Sequence, residues 1–360
     1  WGFGVLEFLN GLLVNVYTAD NTDSVLQSVI PGQNYYRVGG LKFDSDGNLW
    51  IVSTEVDNLL NVKEPNGVWG SFSFSGLGLN TRAGDVVVDA SNNKWVLLPG
   101  TGILVFNENN TIANLQDDEH VILVNSEGAG NLPDIDVVSI AIDLEDEIWV
   151  GTNSGIAVFY SPGDIFSGNE FDAQQILIQE DSSYQYLLES ERVTAISIDG
   201  ANRKWIGTEN AGLFLMSEDG MEEIYHFTKT NSPLFSDNIL SLSINQSTGD
   251  VFIGTDMGML SYRSGAIAGE VVHGEVYAFP NPVNPGYSGP IAIKGLVSDV
   301  DVRVTDISGN LVYQTTALGG QAIWPGTNLE GKKVSTGIYL VFASDKDGAQ
   351  TVVTKVLFLN

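Results

Sequence analysis

The chain has 360 residues, with 45 Asp and Glu against 16 Lys and Arg, for a formal net charge of −29. Such a charge repels phosphate backbones and argues against a nucleic-acid binder. The absence of cysteine excludes a disulfide framework, a thiol nucleophile and a Cys-ligated zinc, and fits either a reducing compartment or a surface protein that avoids thiols. With 43% hydrophobic residues the chain is too apolar for a disordered acidic tail. No run of about 18 apolar residues predicts a transmembrane helix.

The sequence opens at Trp1 without a start methionine or signal-peptide pattern, as if inside a longer chain. Gly4-Val-Leu-Glu-Phe8 and the segment from Leu12 to Tyr17 read as two strands. A repeat follows. Leu41-Lys-Phe-Asp-Ser-Asp-Gly-Asn-Leu-Trp50 is matched by Val86-Val-Val-Asp-Ala-Ser-Asn-Asn-Lys-Trp95. Further copies are Ile140-Ala-Ile-Asp-Leu-Glu-Asp-Glu-Ile-Trp149, Ile196-Ser-Ile-Asp-Gly-Ala-Asn-Arg-Lys-Trp205 and Leu242-Ser-Ile-Asn-Gln-Ser-Thr-Gly-Asp-Val-Phe252. The anchors Trp50, Trp95, Trp149, Trp205 and Phe252 lie 45, 54, 56 and 47 residues apart, the period of a four-stranded propeller blade.

Each copy reads as strand, turn, strand. Alternating β-branched residues precede the Asp, turn-forming residues follow it, and the aromatic lies on the second strand. A Gly-x-φ-x-φ segment after each anchor predicts a third strand, at Gly102-Ile-Leu-Val-Phe106, Gly155-Ile-Ala-Val-Phe159, Gly212-Leu-Phe-Leu-Met216 and Gly258-Met-Leu-Ser-Tyr262. The first pair of strands, from Gly4 to Tyr17, is then the end of a truncated unit. Residues 161–191 are the longest insert and predict a polar loop with one short outer strand. An N-terminal strand added to the last unit is one way to close a ring.

The repeat stops near Ala268. Short alternating strands then follow with turns between them: Tyr277-Ala-Phe-Pro-Asn-Pro-Val283, Ile291-Ala-Ile-Lys-Gly-Leu296, a stretch beginning Val302-Arg-Val-Thr-Asp-Ile-Ser-Gly309, then Gly337-Ile-Tyr-Leu-Val-Phe342 and Val352-Val-Thr-Lys-Val-Leu-Phe358. The expected architecture is all-β. Residues 1–268 form a β-propeller of four-stranded blades, the first truncated and about six visible. Residues 276–360 form an antiparallel β-sandwich.

Asp44, Asp46 and Asn48 have the spacing of a calcium loop, and Glu55 stands at the twelfth position. The flanking helices are missing, so a plain inter-strand turn is the competing reading, and Ca²⁺ is the one cofactor to consider. The acidic runs Asp117-Asp-Glu119 and Glu145-Asp-Glu147 are oxygen donors or solvated loops. His120, His226 and His273 have no ligand spacing. A paired-carboxylate glycosidase stays open because acids are everywhere and no pair stands out. The repeated tryptophans read as core between units. Trp1, Trp69 and Trp324 fall outside that register and are the aromatic candidates for surface contacts, Trp69 first, as an exposed residue. In the last segment Lys294, Arg303, Lys332 and Lys333 are candidates to converge on an anion, against the alternative of scattered solvated cations.

The repeat resembles the two-component-regulator propeller repeat, on the Ile-Asp…Trp-Ile-Gly-Thr…Gly-Leu core and on loops such as Asn231-Ser-Pro-Leu234. The tail resembles the C-terminal domain of type IX secretion substrates, on Pro280-Asn-Pro-Val283, Asp306…Gly309, Gly337-Ile-Tyr339 and the terminal Lys355-Val-Leu-Phe358. That resemblance implies export across the outer membrane of Bacteroidetes-type bacteria and a cell-surface location. The pairing of the two is similar to a family of non-enzymatic components of the type IX attachment complex, in which two propellers precede the tail. It implies as partners a PorU-like sortase and PorV-like and PorQ-like proteins. It also implies a retained tail that binds anionic lipopolysaccharide. The alternative is a secreted cargo protein, a carbohydrate-binding propeller or hydrolase, whose tail is only a cleavable address. A hybrid two-component sensor is a third and poorer reading.

The charge is unevenly placed. Residues 1–268 carry 10 basic and 37 acidic residues, and residues 269–360 carry 6 and 8. The tail is therefore the half that can accept an anionic ligand.

Overall fold

The computed structural model describes residues 2–180, 183–345, 348 and 351–359. Among them every regular element is a strand apart from two 3₁₀ turns, at Ala19–Asn21 and Pro162–Asp164. Among the described residues no helix is long and apolar enough to cross a membrane.

Strands β1 (Val5–Leu9) and β2 (Leu12–Tyr17) form a hairpin. Asn10 and Gly11 turn it at φ 50° and 79°, the signs that a tight two-residue turn requires. Strands β3 (Val38–Phe43), β4 (Leu49–Ser53), β5 (Leu60–Lys63) and β6 (Trp69–Phe72) follow as an antiparallel four-stranded sheet in chain order. Strands β7 (Val86–Val88), β8 (Lys94–Leu98), β9 (Gly102–Asn107) and β10 (Glu119–Leu123) form a second. Strands β11 (Val137–Ile142), β12 (Ile148–Thr152) and β13 (Gly155–Phe159) make a three-stranded sheet. The insert then forms a separate hairpin, β14 (Leu177–Glu180) with β15 (Ser183–Tyr186). Two short strands thus stand where one was expected. Neither joins the preceding sheet, whose outer edge is met by a single bridge from Val158 to Gln174.

Strands β16 (Val193–Ile198), β17 (Lys204–Thr208), β18 (Leu213–Met216) and β19 (Glu223–Phe227) form another four-stranded sheet. Strands β20 (Ile239–Asn245), β21 (Asp250–Thr255) and β22 (Gly258–Arg263) form a three-stranded one. β1 and β2 form a two-stranded sheet of their own.

The tail has two sheets. One has the order β23 (Tyr277–Phe279), β24 (Ile291–Lys294), β27 (Gln321–Trp324). The other has the order β26 (Leu311–Thr316), β25 (Asp301–Thr305), β28 (Gly337–Ser344), β29 (Thr351–Phe358).

Contacts divide the chain into two compact units. One comprises residues 1–196, 206–212 and 237–239, and the other residues 197–205, 213–236 and 240–360. The second unit thus combines parts of the later repeats with residues 269–360.

In the first unit the period-two alternation of each strand feeds two cores. From β8, Trp95 and Leu97 enter a core with Val137, Ile148 and Phe159 of the following repeat. Val96 and Leu98 enter a core with Trp50, Val62 and Phe72 of the preceding one. A sheet buried on both faces must be stacked between neighbours. The Gly of the Trp-φ-Gly-Thr motif sets the closeness of that stacking. A Cβ on Gly151 would lie 2.6 Å from Val193 Cγ1, and one on Gly207 would lie 2.5 Å from Ile239 Cγ2. The Thr of the motif closes the next turn. The hydroxyls of Thr152, Thr208 and Thr255 donate to the carbonyls of Gly155, Gly212 and Gly258 at 3.0, 2.9 and 2.8 Å.

The tail core draws Ile291, Ile293, Ala322 and Trp324 from one sheet and Val302, Val304, Val341, Val356 and Phe358 from the other.

Candidate functional site

The calcium candidate is built around Asp44. Its Oδ1 accepts the backbone N–H groups of Asp46 and Asn48 at 3.0 and 2.9 Å. Its Oδ2 accepts the Asn48 amide at 2.9 Å and the Trp50 indole N–H at 2.8 Å. A carboxylate offers about four lone-pair sites, and four donors fill them. Glu55, counted as the twelfth loop position, is instead paired with Arg37. Asp44 thus acts here as the residue that holds the inter-strand turn. Burial pushes the Asp44 carboxyl up, but the N–H groups of Trp50, Asn48 and Asp46 outweigh it and hold the group below its ordinary range.

The same device recurs. The indoles of Trp95, Trp149 and Trp205 donate to Asp89, Asp143 and Asp199 at 2.9, 3.2 and 3.2 Å. All four tryptophans are fully buried, and a buried indole N–H requires an acceptor. In the fifth copy the Asp becomes Asn245 and the Trp becomes Phe252. Phe252 has no N–H to satisfy and is 39% exposed.

Of the other acidic candidates Asp117 and Asp146 have local partners, and each histidine has a local neighbour. The Asp117 carboxylate takes the Thr111 hydroxyl at 2.8 Å, and Asp146 accepts the Ala90 N–H at 2.9 Å. His120 stands edge-on to Phe74 at 5.3 Å, and His226 stacks on Phe214 at 3.9 Å. His273 Nδ1 accepts the Val297 N–H at 3.2 Å. Among the described residues no group of three or more such side chains is placed to hold a metal ion.

Two surface-aromatic expectations are corrected. Trp69 is not an exposed loop residue. It pairs with Lys63 on β6, is half-buried against the core around Leu26 and Tyr36, and packs on Tyr17 at 5.2 Å. Trp324 is fully buried at the centre of the tail, 5.4 Å from Tyr339 and 6.2 Å from Phe358. Trp1 lies outside the described residues.

The four tail cations do not converge. Ile291 and Ile293 of β24 enter the tail core, so Lys294 faces outward from the three-stranded sheet. Val302 and Val304 enter the same core from the other sheet, so Arg303 faces outward on that side and pairs with Asp301 at 2.7 Å. The core lies between the two. Lys332 pairs with Glu330 at 2.8 Å. Lys333 borders a cleft of about 260 Å³ with Val283, Tyr287, Ile291, Pro325 and Phe358 in its wall. Its Nζ lies 5.7 Å from the Phe358 ring centre.

The motifs of the tail meet one another. Asn281, between two prolines, donates its amide to the Lys355 carbonyl at 2.9 Å and accepts the Leu357 N–H at 3.0 Å. Val283 N–H donates to the Leu357 carbonyl at 2.8 Å, and Leu359 N–H to the Val283 carbonyl at 2.9 Å. The first motif of the tail thus covers the edge of its last strand, a role the sequence pattern did not reveal. Asp306 holds its turn through Asn310 and the Ser308 N–H, and the Asn310 amide keeps its carboxyl below the ordinary range. Tyr339 is buried and donates to the Ser335 carbonyl at 2.8 Å.

Two buried lysines were also missed. Lys94 and Lys204 each precede a repeat Trp and are fully buried. Lys94 pairs with Glu108 and lies 4.3 Å from the Trp50 ring centre. Lys204 donates to the carbonyls of Asn202 and Glu218. The signal was the shared spacing, with a Glu fourteen residues after each lysine.

Comparison with known proteins adds three findings. Residues 277–358 match the family of the secretion system C-terminal sorting domain. The chain is similar over its whole length to the structure of PorZ, described as an essential bacterial surface component of the type IX secretion system of Porphyromonas gingivalis. The identity is 29%, the TM-score 0.70, and the chain spans 49% of that protein. The extracellular domain of a hybrid two-component system from B. thetaiotaomicron aligns with 91% of the chain and 44% of its own, at 15% identity and a TM-score of 0.45. No curated protein sequence matches the chain. The chain is thus all-β, similar to PorZ along its whole length, and matches the secretion system C-terminal sorting domain over residues 277–358.

Proposed function

We propose that the chain is a non-enzymatic, surface-located component of the type IX attachment machinery. The observation that carries this reading is the likeness to PorZ along the whole chain, with the sorting domain in the same alignment. In this reading residues 1–268 belong to a β-propeller of four-stranded blades. Support comes from sheets that share a core with the neighbour on each face. The propeller is a rigid platform on which PorU-like, PorV-like and PorQ-like proteins dock. Residues 276–360 form a β-sandwich that acts as the export signal, stays attached, and presents anionic lipopolysaccharide to the sortase. The division of charge supports the choice of half, because the repeat region is strongly acidic and the tail is nearly neutral.

Since Lys294 and Arg303 face outward from different sheets and Lys332 is paired with Glu330, Lys333 at its cleft is the best-placed contact. Titration of the full chain with purified anionic lipopolysaccharide should show saturable binding. Lys333→Ala should weaken it about fivefold, the loss expected for one lysine near an anionic surface. Arg303→Ala, ion-paired on another face, should leave it unchanged. Absence of saturable binding by the full chain would remove lipopolysaccharide from this reading.

A further inference from the structure

Residues 95–191 contain eighteen Asp and Glu and no Lys or Arg. Within the same stretch the structure holds a cleft of about 450 Å³, with Glu127, Tyr160, Glu170, Phe171 and Asp172 in its wall. It lies where the repeat pattern breaks. After β13 the chain does not return as a fourth strand but loops out to the Val158–Gln174 bridge.

The cleft is braced. Asp172 accepts the N–H groups of Gly128 and Gly130 at 2.6 and 2.8 Å, and Ala173 N–H donates to the Gly130 carbonyl at 3.0 Å. The Asn131 amide donates to the Ala173 carbonyl at 3.3 Å. Asp172 is thus engaged in the wall. Glu127 and Glu170 are exposed at the rim and have no ion-pair partner among the described residues. Tyr160 is 44% exposed, and Phe171 is half-buried.

Carboxylates accept hydrogen bonds and donate none, whereas a guanidinium carries five donors and no acceptor, and its planar face stacks on aromatic rings. The acidic stretch draws cations toward the cleft. A neutral sugar gains nothing from that field.

We propose that this cleft takes the guanidinium of an arginine side chain presented by a basic partner protein. The proposal deepens the reading of the repeat region as a docking platform, and its test is independent of secretion. The ¹⁵N-labelled full chain would be titrated with acetyl-Gly-Arg-Gly-amide and with the peptide in which neutral citrulline replaces arginine. The arginine peptide should shift the Gly128 and Gly130 amide resonances saturably, and the citrulline peptide should bind at least about tenfold more weakly. Combined Glu127→Gln and Glu170→Gln, both at exposed positions, should weaken the arginine peptide by a similar factor. Tyr160→Ala should weaken it about fivefold. Equal affinity for the two peptides, or unchanged affinity in the double variant, would overturn the proposal. A response of the same amides to neutral hexoses but not to arginine would replace it with a sugar site. None of these outcomes bears on whether cargo attachment needs the chain.

Discussion

Replacing Glu108 with alanine should destabilise the repeat region by about 3–5 kcal/mol, the cost of stranding one member of a buried ion pair. Lys94 is fully buried between repeats, its ammonium held by Glu108 and by the face of Trp50. Glu108 is itself fixed by the Asn92 amide at 2.9 Å. Without Glu108 the lysine keeps its desolvation and loses its charge partner. Urea unfolding should show the loss. A variant with both Lys94→Met and Glu108→Leu should recover most of it, because a packed apolar pair can replace a buried ionic one. Burial already pushes the Lys94 ammonium down, and the variant removes a charge that opposes this. With the folded value below the unfolded one, near 10.4, the unfolded chain holds a proton that the folded chain lacks between the two. The penalty in Glu108→Ala is therefore full below the folded value and fades as pH rises toward the unfolded one. A loss under about 1 kcal/mol, typical of an exposed pair, would contradict the account of Lys94.

Trp324→Ala should be as severe for the tail, at about 3–5 kcal/mol. The indole fills the core between Tyr339 and Phe358, and its N–H donates to the Thr327 carbonyl at 2.9 Å. Val283, which borders Phe358 through a strand bridge, ties the first tail motif to the same core. Collapse around the missing indole would loosen Phe358 and with it the β29 edge that Asn281 covers. The expected result is a lower unfolding temperature and less protein at the cell surface, since the sorting domain would no longer present its folded edge. Wild-type thermal stability in Trp324→Ala would contradict the packing described here.

These cases show which parts of the fold were legible in the sequence. Strand positions followed from alternation and from the Asp-turn-Trp spacing, because both have local physical causes. The alternation fills two cores, and the Asp carboxylate needs the turn N–H groups and the indole at fixed offsets. The partnership even accounts for the joint appearance of Asn245 and Phe252 in the last repeat. What failed was whatever depended on contacts distant in sequence. Nothing beside Trp95 marks Lys94 as buried until Glu108 and Trp50 are known to surround it. Trp324 reads as exposed because it lies outside the repeat, yet it anchors a different core. Trp69 reads as a loop aromatic among glycines, but pairing with Lys63 makes it a strand residue and Tyr17 half-covers it. Lys294 and Arg303 look like neighbours along the chain, and two sheets carry them to opposite faces. The proposed arginine cleft has a signal in the sequence, the absence of Lys and Arg from residues 95–191, but its aromatic wall exists only where the insert folds back.

The most direct test of the central claim is deletion of the encoding gene in the native bacterium, followed by measurement of type IX cargo on the cell surface. A surface component of the attachment machinery predicts that cargo loses its surface attachment, that the intact chain restores it, and that the mature protein retains residues 276–360. Normal cargo attachment in the deletion strain, with a mature protein lacking those residues, would contradict the account and identify the chain as cargo itself.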